Sequence, residues 1–188
     1  MNNEYIFSNG DKVELPEKFS LHLNTMNFAK VRDVKLPKRN SSGDAGIDFF
    51  VPEVSEDFTR LLLNKNPDIV INGKTIAIRP HGSIMIPSGI HVRVPVDHAL
   101  IAFNKSGIAG KQQLTVGACV IDNSYQGEVH INMINTSDKH QLIDFGSKLV
   151  QFILLPVWHC DIAETNITDL YINHESVRGS GAFGSTGL

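Results

Sequence analysis

Lys74–Phe103 reads KTIAIRPHGSIMIPSGIHVRVPVDHALIAF, and this stretch decides the fold. Within it Ile76–Ile78, Ser83–Ile86, Gly89–Val94 and Ala99–Phe103 are short runs rich in β-branched residues, several of them alternating apolar with polar. Pro80, Gly82, Pro87, Gly89 and Pro95 punctuate them at the spacing of an antiparallel sandwich or barrel. Downstream, Glu128–Ile134 repeats the pattern between Gly127 and a polar stretch, and Gly117 marks another break. Upstream, Asn72-Gly73 separates Ile69–Ile71 from Lys74–Ile78 and predicts a hairpin with a two-residue turn. Asn9-Gly10, inside Tyr5–Leu15, makes the same prediction. One helix is expected, over Glu56–Lys65, with Phe58, Leu61 and Leu62 on one face. The fold class is all-β.

The 188 residues fit a single domain, and 41% hydrophobic with 20% charged residues is enough for a core that needs neither disulfides nor metal. The longest apolar runs, such as Phe152–Trp158, are too short to span a bilayer, and the start Met1-Asn-Asn-Glu lacks the basic and apolar segments of a secretory leader. Cys119 and Cys160 lie far apart with no CxxC spacing, which points to a reducing compartment, the cytoplasm by default, and against a zinc site. The eight histidines form no HxxxH or HExxH pair, and Phe152 and Trp158 are expected in the core. A formal charge of −3 offers no global attraction to nucleic acid or to an acidic membrane, so neither is an expected partner. Any anionic ligand must be held by local groups.

Five segments supply such groups. Ser42–Asp48 (SGDAGID) places two carboxylates among small residues just before the apolar Phe49–Val51. Asn104–Gly110 (NKSGIAG) follows a strand and offers a cation, a hydroxyl and N–H groups beside glycines, the ingredients of a phosphate cradle without P-loop spacing; an ordinary strand-to-helix connection is equally compatible. In Val116–Val129 (VGACVIDNSYQGEV), Asp122 stands three residues before Tyr125 in a turn closed by Gly127, so a carboxylate and a phenol would project from one hairpin. Such a carboxylate can deprotonate water, and the hairpin backbone can read the edge of a base as a neighbouring strand would. In Gly146–Leu154 (GSKLVQFIL), Gln151 is the polar residue of a strand and needs partners. Arg178–Leu188 (RGSGAFGSTGL) joins a cation, an aromatic ring, hydroxyls and glycines, suited to an arm that closes over a phosphate with Phe183 stacked on a base.

Taken in order, these segments resemble the five motifs of the trimeric dUTPase family, most specifically at Asp44–Asp48, Gly117–Val129 and Arg178–Gly187. The resemblance implies a jelly-roll-like β domain, assembled as a homotrimer whose sites lie at subunit interfaces and are covered by a neighbour's C-terminal arm (residues 175–188). It implies hydrolysis of dUTP to dUMP and pyrophosphate, with Mg²⁺ bound mainly through the triphosphate. By similarity Asp122 activates the attacking water, Tyr125 stacks under the deoxyribose, and the backbone of Cys119, Val120 and Ile121 reads uracil. Lys105, where the family usually has arginine, would contact phosphates with Ser106, Gly107 and Gln151. Arg178 would hold the closed arm, Phe183 would lie over the base, and Gly184, Ser185 and Thr186 would wrap the terminal phosphates. Asp48 would act near the metal through water.

The departures carry expectations too. Lys105 replaces a bidentate fork by a point charge. Ser147-Lys148 stands where the family often has Asp-Arg, so a supporting ion pair is expected to be missing, and Cys119 and Ala182 occupy usual glycine positions. Residues 1–24 form an N-terminal extension. Residues 53–74 exceed the usual connection and are expected to be a surface insertion used for a protein partner. Two other readings on this fold are deamination of dCTP and a regulator that uses nucleotide binding as a switch.

Overall fold

The computed structural model describes residues 25–172, 176 and 179–181, together with the backbone of 4–6 and 12–14. Its elements in order are β1 (Glu4–Ile6), β2 (Lys12–Glu14), β3 (Asn27–Lys30), β4 (Ile47–Phe50), α1 (Glu56–Lys65), β5 (Val70–Asn72), β6 (Thr75–Ile78), β7 (Ser83–Pro87), β8 (Ile90–Arg93), β9 (His98–Asn104), α2 (Ser106–Gln112), β10 (Leu114–Val116), β11 (Val120–Asp122), β12 (His130–Asn135), β13 (Gln141–Asp144), β14 (Lys148–Pro156) and α3 (Ile167–Leu170). The strands pair in the orders β11-β9-β14-β4, β10-β12-β7, β13-β6-β5, β3-β8 and β1-β2. The pairs are antiparallel, as the runs and their punctuation predict. Residues 1–157 form one compact unit and 158–188 a second, which contains α3. No helix among the described residues is long and apolar enough to cross a membrane.

Period-two burial builds the core. In β12 Ile131, Met133 and Asn135 point inward while the residues between them are half-buried. Strands β4 and β14 bring Phe49 and Phe152 together with ring centroids 4.4 Å apart. Trp158, expected in the core, is instead 90% exposed, because β14 ends at Pro156. His159 and Cys160 follow that strand rather than lying on it.

The hairpin registers differ from expectation by one residue. Asn72 pairs with Thr75, so the two-residue turn is Gly73-Lys74 rather than Asn72-Gly73. Gly73 alone has positive φ there, at 58°, as the first central residue of a type II′ turn does. In the β1–β2 hairpin Ile6 pairs with Lys12, a register one residue away from that of a two-residue Asn9-Gly10 turn; the turn itself lies outside the described residues.

Helix α1 spans the expected residues. Ser55 caps it, its hydroxyl accepting the Phe58 N–H at 3.2 Å, and Glu56 and Asp57 complement the positive end of the helix dipole. The segment is not simply a surface insertion, however. Phe58 (3% exposed), Leu62 (0%) and Ile69 (6%) belong to the main core, so the amphipathic face is a structural one. The buried Asn66 then fastens the helix end to β7: its Oδ1 accepts the Met85 N–H at 2.7 Å, and its Nδ2 donates to the Met85 carbonyl at 3.0 Å. Helix α2 was not expected as a helix. Two glycines in seven residues suppress its sequence signal, and Asn104–Gly110 leads from β9 into this helix.

Candidate active site

The Asp122–Tyr125 turn grows out of β11, whose pairing with β9 sets Asp122 opposite Ala99. The Asp122 carbonyl accepts the Tyr125 N–H at 3.1 Å, which closes the turn. The Tyr125 hydroxyl then reaches back to donate to the Glu128 carbonyl at 2.9 Å. This fold-back needs glycine at 127, because a Cβ there would stand 2.4 Å from the phenolic oxygen. The Asp122 carboxylate is exposed and has no hydrogen-bond or ion-pair partner among the described residues, so its lone pairs are available to a water. Cys119, Val120, Ile121, Asp122, Tyr125 and His130 line one pocket of about 450 Å³.

The expected hairpin is not formed, because β11 pairs with β9 while the next strand, β12, pairs with β10 and β7; the segment is a loop between two sheets, and it is anchored at both ends. At its start the Asn132 side chain accepts the Ala118 N–H at 2.9 Å and donates to the Ile84 carbonyl at 3.1 Å, clasping the Gly117-Ala118 bend to β7. Gly117 is required because a Cβ would lie 1.9 Å from Asn132 Oδ1. At its finish the half-buried Glu128 carboxylate is gripped by both guanidinium nitrogens of Arg32, one at 3.1 Å, and accepts the Gly89 N–H at 2.6 Å. Burial pushes the Glu128 carboxyl up, but hydrogen bonds from Arg32 and Gly89 and the charges of Arg32 and His130 outweigh it and leave its pKa below the ordinary value. Sequence reasoning missed Asn132, Glu128 and Arg32 as site builders. Glu128 lay within a quoted motif, whereas nothing near Arg32 in sequence marks its partner.

A second, cationic region forms where β4, β14 and the start of α2 meet. Asp48, only 5% exposed, lies on β4 between Lys105 Nζ and Lys148 Nζ, the latter at 3.1 Å. The expectation that Ser147-Lys148 leaves no supporting ion pair is therefore corrected: Lys148 supplies it. Gln151 donates to the Asn104 carbonyl at 2.9 Å, and its side chain packs where a Cβ on Gly46 would stand, 2.2 Å from its Oε1. Two pockets open here, of about 370 and 480 Å³; Lys105, Lys148 and Gln151 line both, with Ser106 and Gly107 in the first and Asp48 in the second. A Cβ on Gly107 would meet nothing within 4 Å, so that glycine leaves space rather than relieving a clash inside the chain.

No residue of the Asp122 pocket lines either cationic pocket. One chain thus carries the two parts of the expected site as separate surfaces. Among the described residues no group of three or more His, Cys, Asp or Glu is placed to hold a metal ion. Arg178, Phe183, Gly184, Ser185 and Thr186 lie outside the described residues.

The sequence model of the dUTPase family matches residues 68–187. The chain belongs to the dUTPase family. The deoxyuridine 5'-triphosphate nucleotidohydrolase of Clostridium tetani is 32% identical over 157 residues, covering 82% of this chain and 90% of the relative. That of Picosynechococcus is 30% identical over 154 residues, covering 81% and 90%. Among solved structures, a point mutant of the dUTPase of Staphylococcus bacteriophage 80alpha, solved with dUpNHpp, superposes with a TM-score of 0.67 at 21% identity, over 88% of this chain and 99% of the phage chain. A point mutant of the dUTPase from phage phi11 of S. aureus, described with a structural Mg(II) ion, gives 0.59 at 21% identity over 76% and 97%. These structural likenesses establish the all-β dUTPase fold. The family match begins in the β5 region, so α1 and the Asp48 segment lie upstream of it.

Proposed function

We propose that this protein hydrolyses dUTP to dUMP and pyrophosphate, as its family membership and its curated relatives indicate. The observation that carries the residue-level reading is the free carboxylate of Asp122, held beside the Tyr125 ring in one pocket. Asp122 accepts a proton from water, the water oxygen bonds to the α-phosphorus, and the bond from that phosphorus to the bridging oxygen breaks to release pyrophosphate. The Tyr125 ring supports the deoxyribose and leaves no room for a 2′-hydroxyl. The backbone of Cys119, Val120 and Ile121 reads the uracil edge. Lys105, Ser106, Gly107 and Gln151 bind phosphates, Lys148 adds a second cation beside them, and donors aimed at the α-phosphate stabilise the charge that grows there.

The two surfaces must converge on one nucleotide, and a second copy of the chain supplies the missing part of each site. This supports a homotrimer with three shared sites. In the arm, Arg178 holds the closed form, Phe183 covers the base, and Gly184, Ser185 and Thr186 wrap the terminal phosphates. The donor set does not fit a Mg²⁺ cage built by the protein, since Asp48 has a lysine on each oxygen and no acidic cluster accompanies it among the described residues. The ion fits as a companion of the triphosphate, which supplies hard oxygens and carries the charge that needs neutralising. An outer-shell role for Asp48 requires a lysine to move from its carboxylate to a phosphate.

Turnover of purified protein with dUTP, dCTP, dTTP and UTP in Mg²⁺ tests the reaction. Pyrophosphate from dUTP alone is expected. Ammonia from dCTP, or tight dUTP binding without turnover, would replace this reading by the deaminase or the regulator. A protein partner for residues 53–74 remains our proposal for the outer side of α1, where Val54 and Leu63 are exposed.

A further inference from the structure

Arg32 lies outside every motif, yet it meets three separate parts of the chain. Its guanidinium grips the Glu128 carboxylate, and its carbon lies 5.4 Å from the centroid of the Phe58 ring on α1. Its stem passes Gly89, whose φ of 76° and missing side chain make room: a Cβ there would stand 2.6 Å from Arg32 Cγ. Glu128 is in turn the fixed point of the loop that follows β11. Its carboxylate takes the Gly89 N–H, while its carbonyl accepts both the Tyr125 hydroxyl and the His130 Nδ1 proton, each at 2.9 Å. A carbonyl can only accept, so Nδ1 of His130 carries a proton. Two lining residues of the Asp122 pocket, Tyr125 and His130, therefore hang from one peptide group whose side chain Arg32 holds.

We propose that Arg32 is a positioning residue of the nucleotide site, setting the Asp122–Tyr125 turn through Glu128 and coupling it to helix α1 through the ring of Phe58. The inserted segment then does more than enlarge the core: one face of α1 braces the turn that carries Asp122, and a change on that helix has a physical route to the site. The route is short. A cation over an aromatic face, a bidentate ion pair and two hydrogen bonds to one carbonyl each favour a single arrangement, and loss of the fork removes one restraint from the Glu128 carbonyl, leaving its peptide held by the Val129 N–H on the Ile90 carbonyl at 2.8 Å.

This proposal rests on the dUTP reading, and the test separates the two. Wild type, Arg32→Met, Arg32→Lys, Glu128→Gln and Phe58→Leu are assayed for pyrophosphate release from dUTP, with the oligomeric state checked by sizing. Failure of wild type to turn over dUTP overturns the functional reading. With wild type active, Arg32→Met is expected to lower kcat/KM about tenfold to a hundredfold, the scale of a lost charge-assisted pair, and Arg32→Lys to recover part of the loss. Phe58→Leu is expected to lower kcat/KM in the wild-type background and to have little further effect in Arg32→Met.

The pH profile gives a readout that a merely structural role would not move. Arg32 and His130 are the charged or titratable groups facing Glu128, and removing Arg32 takes away its main stabilising charge. The Glu128 contribution to the acid limb of kcat/KM is expected to shift upward in Arg32→Met and to be absent in Glu128→Gln. An unshifted acid limb, or equal Phe58→Leu effects in both backgrounds, overturns the positioning role. If Arg32→Met does not assemble, the folded Arg32→Lys and Glu128→Gln proteins decide: wild-type kcat/KM in both overturns it.

Discussion

At the scale of single residues, the loop after β11 shows how small groups are spent on placing one carboxylate. Asp122 has no partner of its own among the described residues, and everything around it is tied down: Tyr125 to the Glu128 carbonyl, Gly117-Ala118 to Asn132, Glu128 to Arg32. Asp122→Asn is expected to lose about 10²–10⁴-fold in kcat with dUTP binding retained, the scale of a lost general base. Steady-state turnover and equilibrium binding of a slowly hydrolysed analogue check the two halves of that statement. Gly127→Ala pushes a methyl group to within 2.4 Å of the Tyr125 hydroxyl, so the phenol must leave its perch. It is expected to raise KM for dUTP in a protein that still folds, and an unchanged KM would show that the ring does not need this seat.

At the scale of elements, α1 is the instructive case. Its periodicity predicted the helix to the residue, but sequence alone could not say which surface its apolar face would meet. The face meets the core, and full burial of Leu62 contributes about 1.5–3 kcal/mol by area. Deleting residues 56–65 is therefore expected to destabilise the whole domain, which a thermal melt would register, and such a deletion does not isolate a partner surface. Asn66→Ala orphans the Met85 N–H and carbonyl together and is expected to cost about 2–4 kcal/mol, measured by denaturant unfolding.

At the scale of the whole molecule, the division of the site between surfaces can be tested directly. The Asp122 pocket and the cationic pockets have no residue in common, so two inactive variants damaged on different surfaces should complement each other. Refolding Asp122→Asn with Gln151→Ala in equal amounts is expected to restore about a quarter of wild-type turnover, since about one shared site in four would draw both surfaces from intact copies. No recovery would place the entire site within one chain. Acid should loosen the domain through Glu128. The native pKa of Glu128 lies below its ordinary value of 4.5, so its contribution is complete above that pH and is lost as the pH falls through the native pKa. The melting temperature is expected to fall in that acid window, and Glu128→Gln to remove this part of the slope.

From sequence alone, the strand runs of residues 74–103, the helix at 56–65 and the family membership could be read, because period, punctuation and motif order are local properties of the chain. The Asp122 carboxylate and the Tyr125 phenol were legible for the same reason, since three residues of spacing suffice to place them on one turn, but the hairpin expected around that turn was not formed because β11 pairs with β9 rather than β12. What tertiary structure decided was pairing at a distance. Turn registers moved by one residue because cross-strand partners outvote local turn preference. Lys148 found Asp48, Asn132 clasped Gly117-Ala118, and Arg32 reached Glu128 across the fold, and no local pattern encodes such meetings. They depend on which strands become neighbours, and that is set by burying the core of the whole domain at once.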